Sequence, residues 1–244
     1  MNFFKKARIW LLVALLNIVN HAHSQISINS YTELGTNNVS AGAYGNLSGL
    51  VLAKLGTFSA STDALLSVSN ANLSVFSAYK LSVNNEFQLF KIPFRVGGFY
   101  LWKPFSVDLR ETNVGVLINY RTRHFGYDLG LNTRVYGYSE AAKRKYNFPS
   151  SASTTIWEPA NWMYKLTYYL QFNPKTNFEA CVTNFDTYMV EQETNPMIRT
   201  KINYELNNKL HLYSELGYQQ AGLMNIRVNT FGVFLRGGVV WQLN

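Results

Sequence analysis

Beyond residue 24 the chain carries two histidines, His124 and His211, and acid–base chemistry would have to start from them. On a strand, side chains repeat every second residue, so His211, Tyr213 and Glu215 share one face while Ser214 falls on the other. A hydrolase built on a serine and a base needs the two within hydrogen-bond reach. This spacing does not supply that contact. His124 sits beside the Thr122-Arg123 link, a position that suits a solvated ring. No His and carboxylate set has metal-ligand spacing, so neither a metal nor a cofactor is expected. Asp128 with Arg134, and Lys201 with Glu205, read as charge pairs on single strand faces. The residues argue against an enzyme, leaving a lipid hydrolase built on His211 and Glu215 as a minor alternative.

Any such side chains would be held by β-strands. Phe125, Tyr127, Leu129, Leu131 and Val135 alternate with His124, Gly126, Asp128, Gly130, Asn132 and Arg134. The same period runs through Trp162, Tyr164, Leu166, Tyr168, Leu170 and Phe172, and again through Ile198, Ile202, Tyr204 and Leu206. A soluble antiparallel sandwich also alternates, and an exported sandwich is the structural alternative. The connections separate the two readings. Short links near Asn84-Asn85, Thr122-Arg123, Asn173 to Thr176 and Asn207-Asn208 alternate with longer ones at 103 to 112, 139 to 161, 190 to 197 and 222 to 227. Up-and-down barrels have tight turns at one end and longer loops at the other.

Nine strand segments follow: 73–83, 86–102, 113–121, 124–138, 162–172, 177–189, 198–206, 209–221 and 228–243. A tenth lies around 46–58. Twelve follow if Ser27 to Leu34 and Ala64 to Ser69 also pair, so the expected count is ten within a range of eight to twelve. Pro93 inside an apolar strand predicts a bulge or a local loss of pairing. Aromatic residues gather near both ends of the strands, as interfacial girdles do.

The first residues have the layout of a cleaved secretory leader, residues 1–24: Lys5, Lys6 and Arg8, then an apolar run from Ile9 to Val19, then Ala22-His23-Ser24. That run is too short for a spanning helix, which needs about 20 residues. Removal of the leader lowers the formal net charge from +8 to +5. Residues 25–244 then form one domain, an all-β transmembrane antiparallel barrel, with 25–45 left open as a periplasmic extension. An exported chain of this kind is not a nucleic-acid binder, and lone Cys181 cannot form an intramolecular disulfide.

Phe231, Val233, Leu235, Val239, Trp241 and Leu243 recur at alternate positions up to the chain end, apart from Gly237. This pattern resembles the terminal assembly signal of Gram-negative outer-membrane β-barrel proteins. The resemblance covers roughly residues 73 to 244 and is architectural. It implies an integral outer-membrane protein surrounded by lipid and inserted by the barrel assembly machinery. The Asn-rich, Lys-containing style resembles small barrels of the Bacteroidota.

The expected lumen set is Lys91, Arg95, Arg121, Asp128, Arg134, Lys165, Glu179, Arg199, Lys201, Glu205, His211, Glu215 and Arg236, in which bases outnumber acids. A wetted lumen of this composition would favour small anions. About eight strands leave room only for side chains, so ten predict a narrow, partly filled bore. Two functions follow: a non-conducting envelope scaffold or subunit of an outer-membrane complex, or a narrow channel passing small anionic solutes. Lys143, Arg144 and Lys145, in the longest loop, would contact lipopolysaccharide or an acidic partner. A protein partner would dock on loops 139–161 and 190–197.

Overall fold

The computed structural model describes residues 25–37, 43–68, 76–90, 92–104, 108–149, 155–190, 196–219 and 232–243. Twelve antiparallel strands close into a barrel: β1 (Gln25–Asn37), β2 (Ala43–Leu55), β3 (Phe58–Ser67), β4 (Phe76–Leu89), β5 (Ile92–Pro104), β6 (Leu109–Arg121), β7 (Phe125–Tyr138), β8 (Thr155–Asn173), β9 (Thr176–Thr183), β12 (Met197–Asn207), β13 (Leu210–Gln219) and β14 (Gly232–Gln242). The two remaining strands, β10 (Phe185–Asp186) and β11 (Met189–Val190), pair only with each other. A short helix, α1 (Glu140–Lys145), follows β7.

The count of twelve lies at the upper end of the expected range. Both added strands come from the Ser/Asn-rich early region. Residues 25–37, left open as an extension, form β1, and Glu33 pairs with Arg236 of β14 where first and last strands meet. Phe58–Ser67 forms β3, whose outward residues Ala60, Thr62 and Ala64 are too small to register as a greasy stripe. Leader residues 1–24, Lys91 and Phe231 lie outside the described residues.

Turn chemistry fixes the closed end. Gly56 adopts φ 59 between β2 and β3, a left-handed conformation that costs glycine little. Asn173 Oδ1 accepts from the Lys175 amide at 2.9 Å, and Asn207 Oδ1 accepts from the amides of Lys209 and Leu210, each at 2.9 Å. Such side-chain caps mimic a backbone turn. One expected turn is misplaced: Asn84 and Asn85 lie inside β4, opposite Gly97 and Val96, and the chain reverses at Phe90 with φ 53. Gly97 leaves the space that the Asn84 side chain fills. Pro93 is therefore the second residue of β5, paired with Gln88 without a register shift, rather than a mid-strand bulge. The bulge near a proline is at Pro159, where the β7–β8 register shifts between Asn132 and Arg134.

The outer face is apolar and exposed, with Leu129 at 60%, Val114 at 55% and Leu235 at 53% of full accessibility. In a closed barrel such a surface belongs against lipid chains. Near the turn end, Phe87, Phe94, Tyr120 and Tyr127 form a ring-to-ring ladder with centroids 5.4–6.0 Å apart. The buried core lies inside the barrel, around Tyr31, Phe99, Leu101, Met163, Tyr188 and Tyr213.

Candidate functional site

The strand 177–189 expected from sequence ends early. β9 leaves the wall after Thr183, and residues 184–190 turn into the lumen. Asn184 drives the departure: its Nδ2 donates to the Trp162 carbonyl at 2.7 Å, and its Oδ1 accepts from the Tyr164 amide at 2.8 Å. A side chain thus completes the ladder that the backbone abandons. Thr183 Oγ1 accepts from the Phe185 amide at 3.1 Å. With the edge of β8 satisfied, β10 and β11 form a small hairpin tipped by Thr187 and Tyr188.

The hairpin crosses the bore. The Tyr188 hydroxyl lies 2.9 Å from Ser48 Oγ on β2, four strands round the ring from β12. Its Asp186 sits between two arginines of the wall: Arg199 Nη1 donates to Oδ1 at 2.6 Å, and Arg236 Nη2 donates to Oδ2. Arg236 also donates from Nε to Glu33 Oε2 at 2.5 Å. Arg199 Nε lies 2.7 Å from Glu215 Oε1 without being aligned to donate, so that contact is Coulombic. Asn46 holds the other Glu33 oxygen at 3.0 Å. The Arg236 guanidinium rests 4.3 Å from the Phe234 ring centroid. Both arginines and all three carboxylates are largely enclosed.

The register explains why the charges match. Glu33, Arg236, Glu215, Lys201 and Glu179 are directly paired across five consecutive strands, alternating in sign. Directly opposed unlike charges stabilise a sheet. A second row joins Glu86, Arg95, Asn119, Asp128 and Lys165 nearer the turn end. There Glu86 bridges Arg95 at 2.7 Å and Lys54 at 3.1 Å, beside a cavity of about 510 Å³ that Thr57, Asn119 and Arg121 also line. Towards the loop end, Glu111 faces Arg134 at 3.4 Å and Lys103 at 3.5 Å, and Arg134 reaches Glu158 at 3.5 Å.

Of the expected lumen set, Arg95, Arg121, Asp128, Arg134, Lys165, Glu179, Arg199, Lys201, Glu205, His211, Glu215 and Arg236 all fall on the inward phase of the pairing. The expected excess of bases does not hold, however. Among the described residues Glu33, Asp63, Glu86, Glu111, Glu158 and, on the hairpin, Asp186 also face inward, against Lys54, Lys80 and Lys103, so that there acids draw level with bases. Glu33 and Asp63 belong to the weakly patterned early region, and Glu111 and Glu158 lie in stretches expected as loops that the structure makes part of β6 and β8. Glu215 is held by arginines, and His211 lies two strand steps from it on β13.

Asp186 carried a readable signal. Extending β9 as wall would turn Asn184 and Asp186 towards lipid, where a carboxylate is costly. On the loop-side rim, Lys143 bonds Glu140 at 2.8 Å and holds its carboxyl below the usual range. Tyr146 and Asp108 together hold the Lys145 ammonium above its usual range. Arg144 is exposed beside them. Val233, Leu235, Val239 and Trp241 face outward on β14, and Leu243 follows the strand.

Sequence comparison finds no matching family model and no matching curated protein. The fold is shared with solved outer-membrane barrels at low identity. The KdgM porin superposes with a TM-score of 0.52 at 10% identity, over 89% of this chain and 99% of its own. The NanC porin gives 0.53 at 12% identity, over 88% and 100%. The translocator domain of the autotransporter NalP from Neisseria meningitidis gives 0.51 at 12% identity, over 98% and 95%. These likenesses show the fold.

Proposed function

We propose that this chain is an outer-membrane solute channel whose resting bore is closed by the β10–β11 hairpin. The observation that carries this reading is a polar, charge-paired wall of twelve strands crossed by a hairpin whose ionic ties to that wall run through one aspartate. About eight strands fill their interior with side chains. Twelve enclose more, and here a loop occupies the excess. Such a loop can leave without unfolding the wall. Because acids nearly balance bases among the described wall residues, and Asp186 of the hairpin completes the balance, the simple anion preference read from composition is replaced by local chemistry at the constriction. The leader-like residues 1–24, the apolar exterior and the fold neighbours support the outer membrane as its location.

Liposome swelling tests the proposal. Wild-type protein, checked for heat-modifiable migration as a sign of a folded barrel, should admit small sugars slowly. A variant with residues 185–190 replaced by a Gly-Ser linker should admit them much faster. A folded variant that remains impermeable would overturn the channel reading and favour a scaffold acting through α1 and the outer loops.

A further inference from the structure

Asp186 has the geometry of a bound ligand. Its two oxygens are divided between Arg199 of β12 and Arg236 of β14, which belong to the rigid wall, while the carboxylate arrives on the separate hairpin of residues 185–190. Planar guanidiniums converging on one carboxylate are a common way to recognise that group. We infer that Arg199 and Arg236 form a carboxylate-binding site of the lumen, occupied at rest by Asp186, and that the carboxylate of a small organic acid competes for it and releases the hairpin. This inference rests on the channel reading above and supplies its solute class.

The flanking residues decide which anions fit. Glu33 and Glu215 remain when Asp186 departs, so the vacated position lies between two cations and two anions. The site already accommodates one further negative charge in the resting arrangement. A monoanionic carboxylate reproduces that balance, whereas a phosphate dianion would add a second charge against Glu33 and Glu215. Carboxylates are therefore preferred over phosphate. The remaining hold on the hairpin is neutral: the Tyr188 contact with Ser48 and packing of Phe185 and Tyr188 in the apolar cluster. A tethered competitor acts at an effective concentration of the order of millimolar, so a solute must reach roughly that range to displace Asp186.

The test reads hairpin position without measuring transport. Ser48 is 2% exposed beneath the Tyr188 hydroxyl. The full chain carrying S48C and C181S is folded, checked by heat-modifiable migration, and treated with a charged thiol reagent. Glucuronate is compared with glucose, inorganic phosphate and sodium chloride, with the three salts matched in ionic strength. Glucuronate at tens of millimolar is expected to speed labelling about tenfold, the order of a lost charge-assisted bond, with little effect from the others. D186N in the same background should label fast without solute and gain nothing from glucuronate. Equal acceleration by sodium chloride would reduce the effect to screening and overturn the site, as would slow labelling of D186N. A glucuronate response in a protein that passes no solute would keep the site and sink the channel. Solute flux without a glucuronate response would do the reverse.

Discussion

Arg236 closes the seam of the barrel, and its removal should be the costliest single change in the lumen. The side chain is 8% exposed, and its partners Glu33 and Asp186 are 7% and 4% exposed. Changing Arg236→Met takes from Glu33 its cationic partner, leaving neutral contacts with Asn46 and Tyr44, and takes one of two guanidiniums from Asp186. Stranding enclosed carboxylates in this way costs about 3–5 kcal/mol. Removing both members of the seam pair, in E33Q/R236M, should recover about 0.5–3 kcal/mol of the summed single losses, the usual range for residues in one network. The assay is equilibrium urea unfolding in lipid vesicles followed by tryptophan fluorescence, with outward Trp162 and Trp241 as reporters. A loss under about 1 kcal/mol for R236M would show the network to be solvated and weak, on the scale of exposed pairs. Strict additivity of the two changes would refute the direct pairing.

Other expectations follow from the same placement. Leu129→Arg, on the lipid face of β7, should cost about 2–4 kcal/mol, while Gln171→Arg, exposed on the inward phase near the turn end, should change stability by no more than about 0.5 kcal/mol in the same assay. A side chain at Gly217 meets the Phe234 ring, so Gly217→Val should cost about 1–3 kcal/mol, partly recovered by adding F234L. Tyr188→Phe removes the contact with Ser48 and should leave stability within about 1.5 kcal/mol of wild type while raising the frequency of current openings in a planar bilayer. Buried Cys181, opposite Arg199 on the inward phase of β9, should react with a disulfide thiol reagent far more slowly in the folded protein than after unfolding.

The strands with bulky aromatic or aliphatic residues on one face were legible from period alone, as in β7, β8 and β12. Those with small outward residues were not, because Ala60, Thr62 and Ala64 on β3 face lipid without a hydropathy contrast. Inward phase is legible where the opposite face of the same strand is bulky, as with Ile198, Ile202 and Tyr204 against Arg199 and Lys201, and Leu212, Leu216 and Tyr218 against Glu215. Their partners depend on register, which couples residues far apart in the chain. Glu33 meets Arg236 only because the first strand closes on the last. The hairpin was missed because Phe185 and Tyr188 continue a strand-like composition. Asn184 and Asp186 are discordant on a lipid-facing phase, and Asp186 shows its meaning only once the arginines that receive it are located.

The most direct test of the closed-bore account is single-channel current from folded protein in a planar bilayer, comparing wild type with D186N at the same ionic strength. The account predicts rare, brief openings for wild type and frequent, longer ones of the same or larger amplitude for D186N. Identical silence, or identical conductance with identical open times, would contradict it.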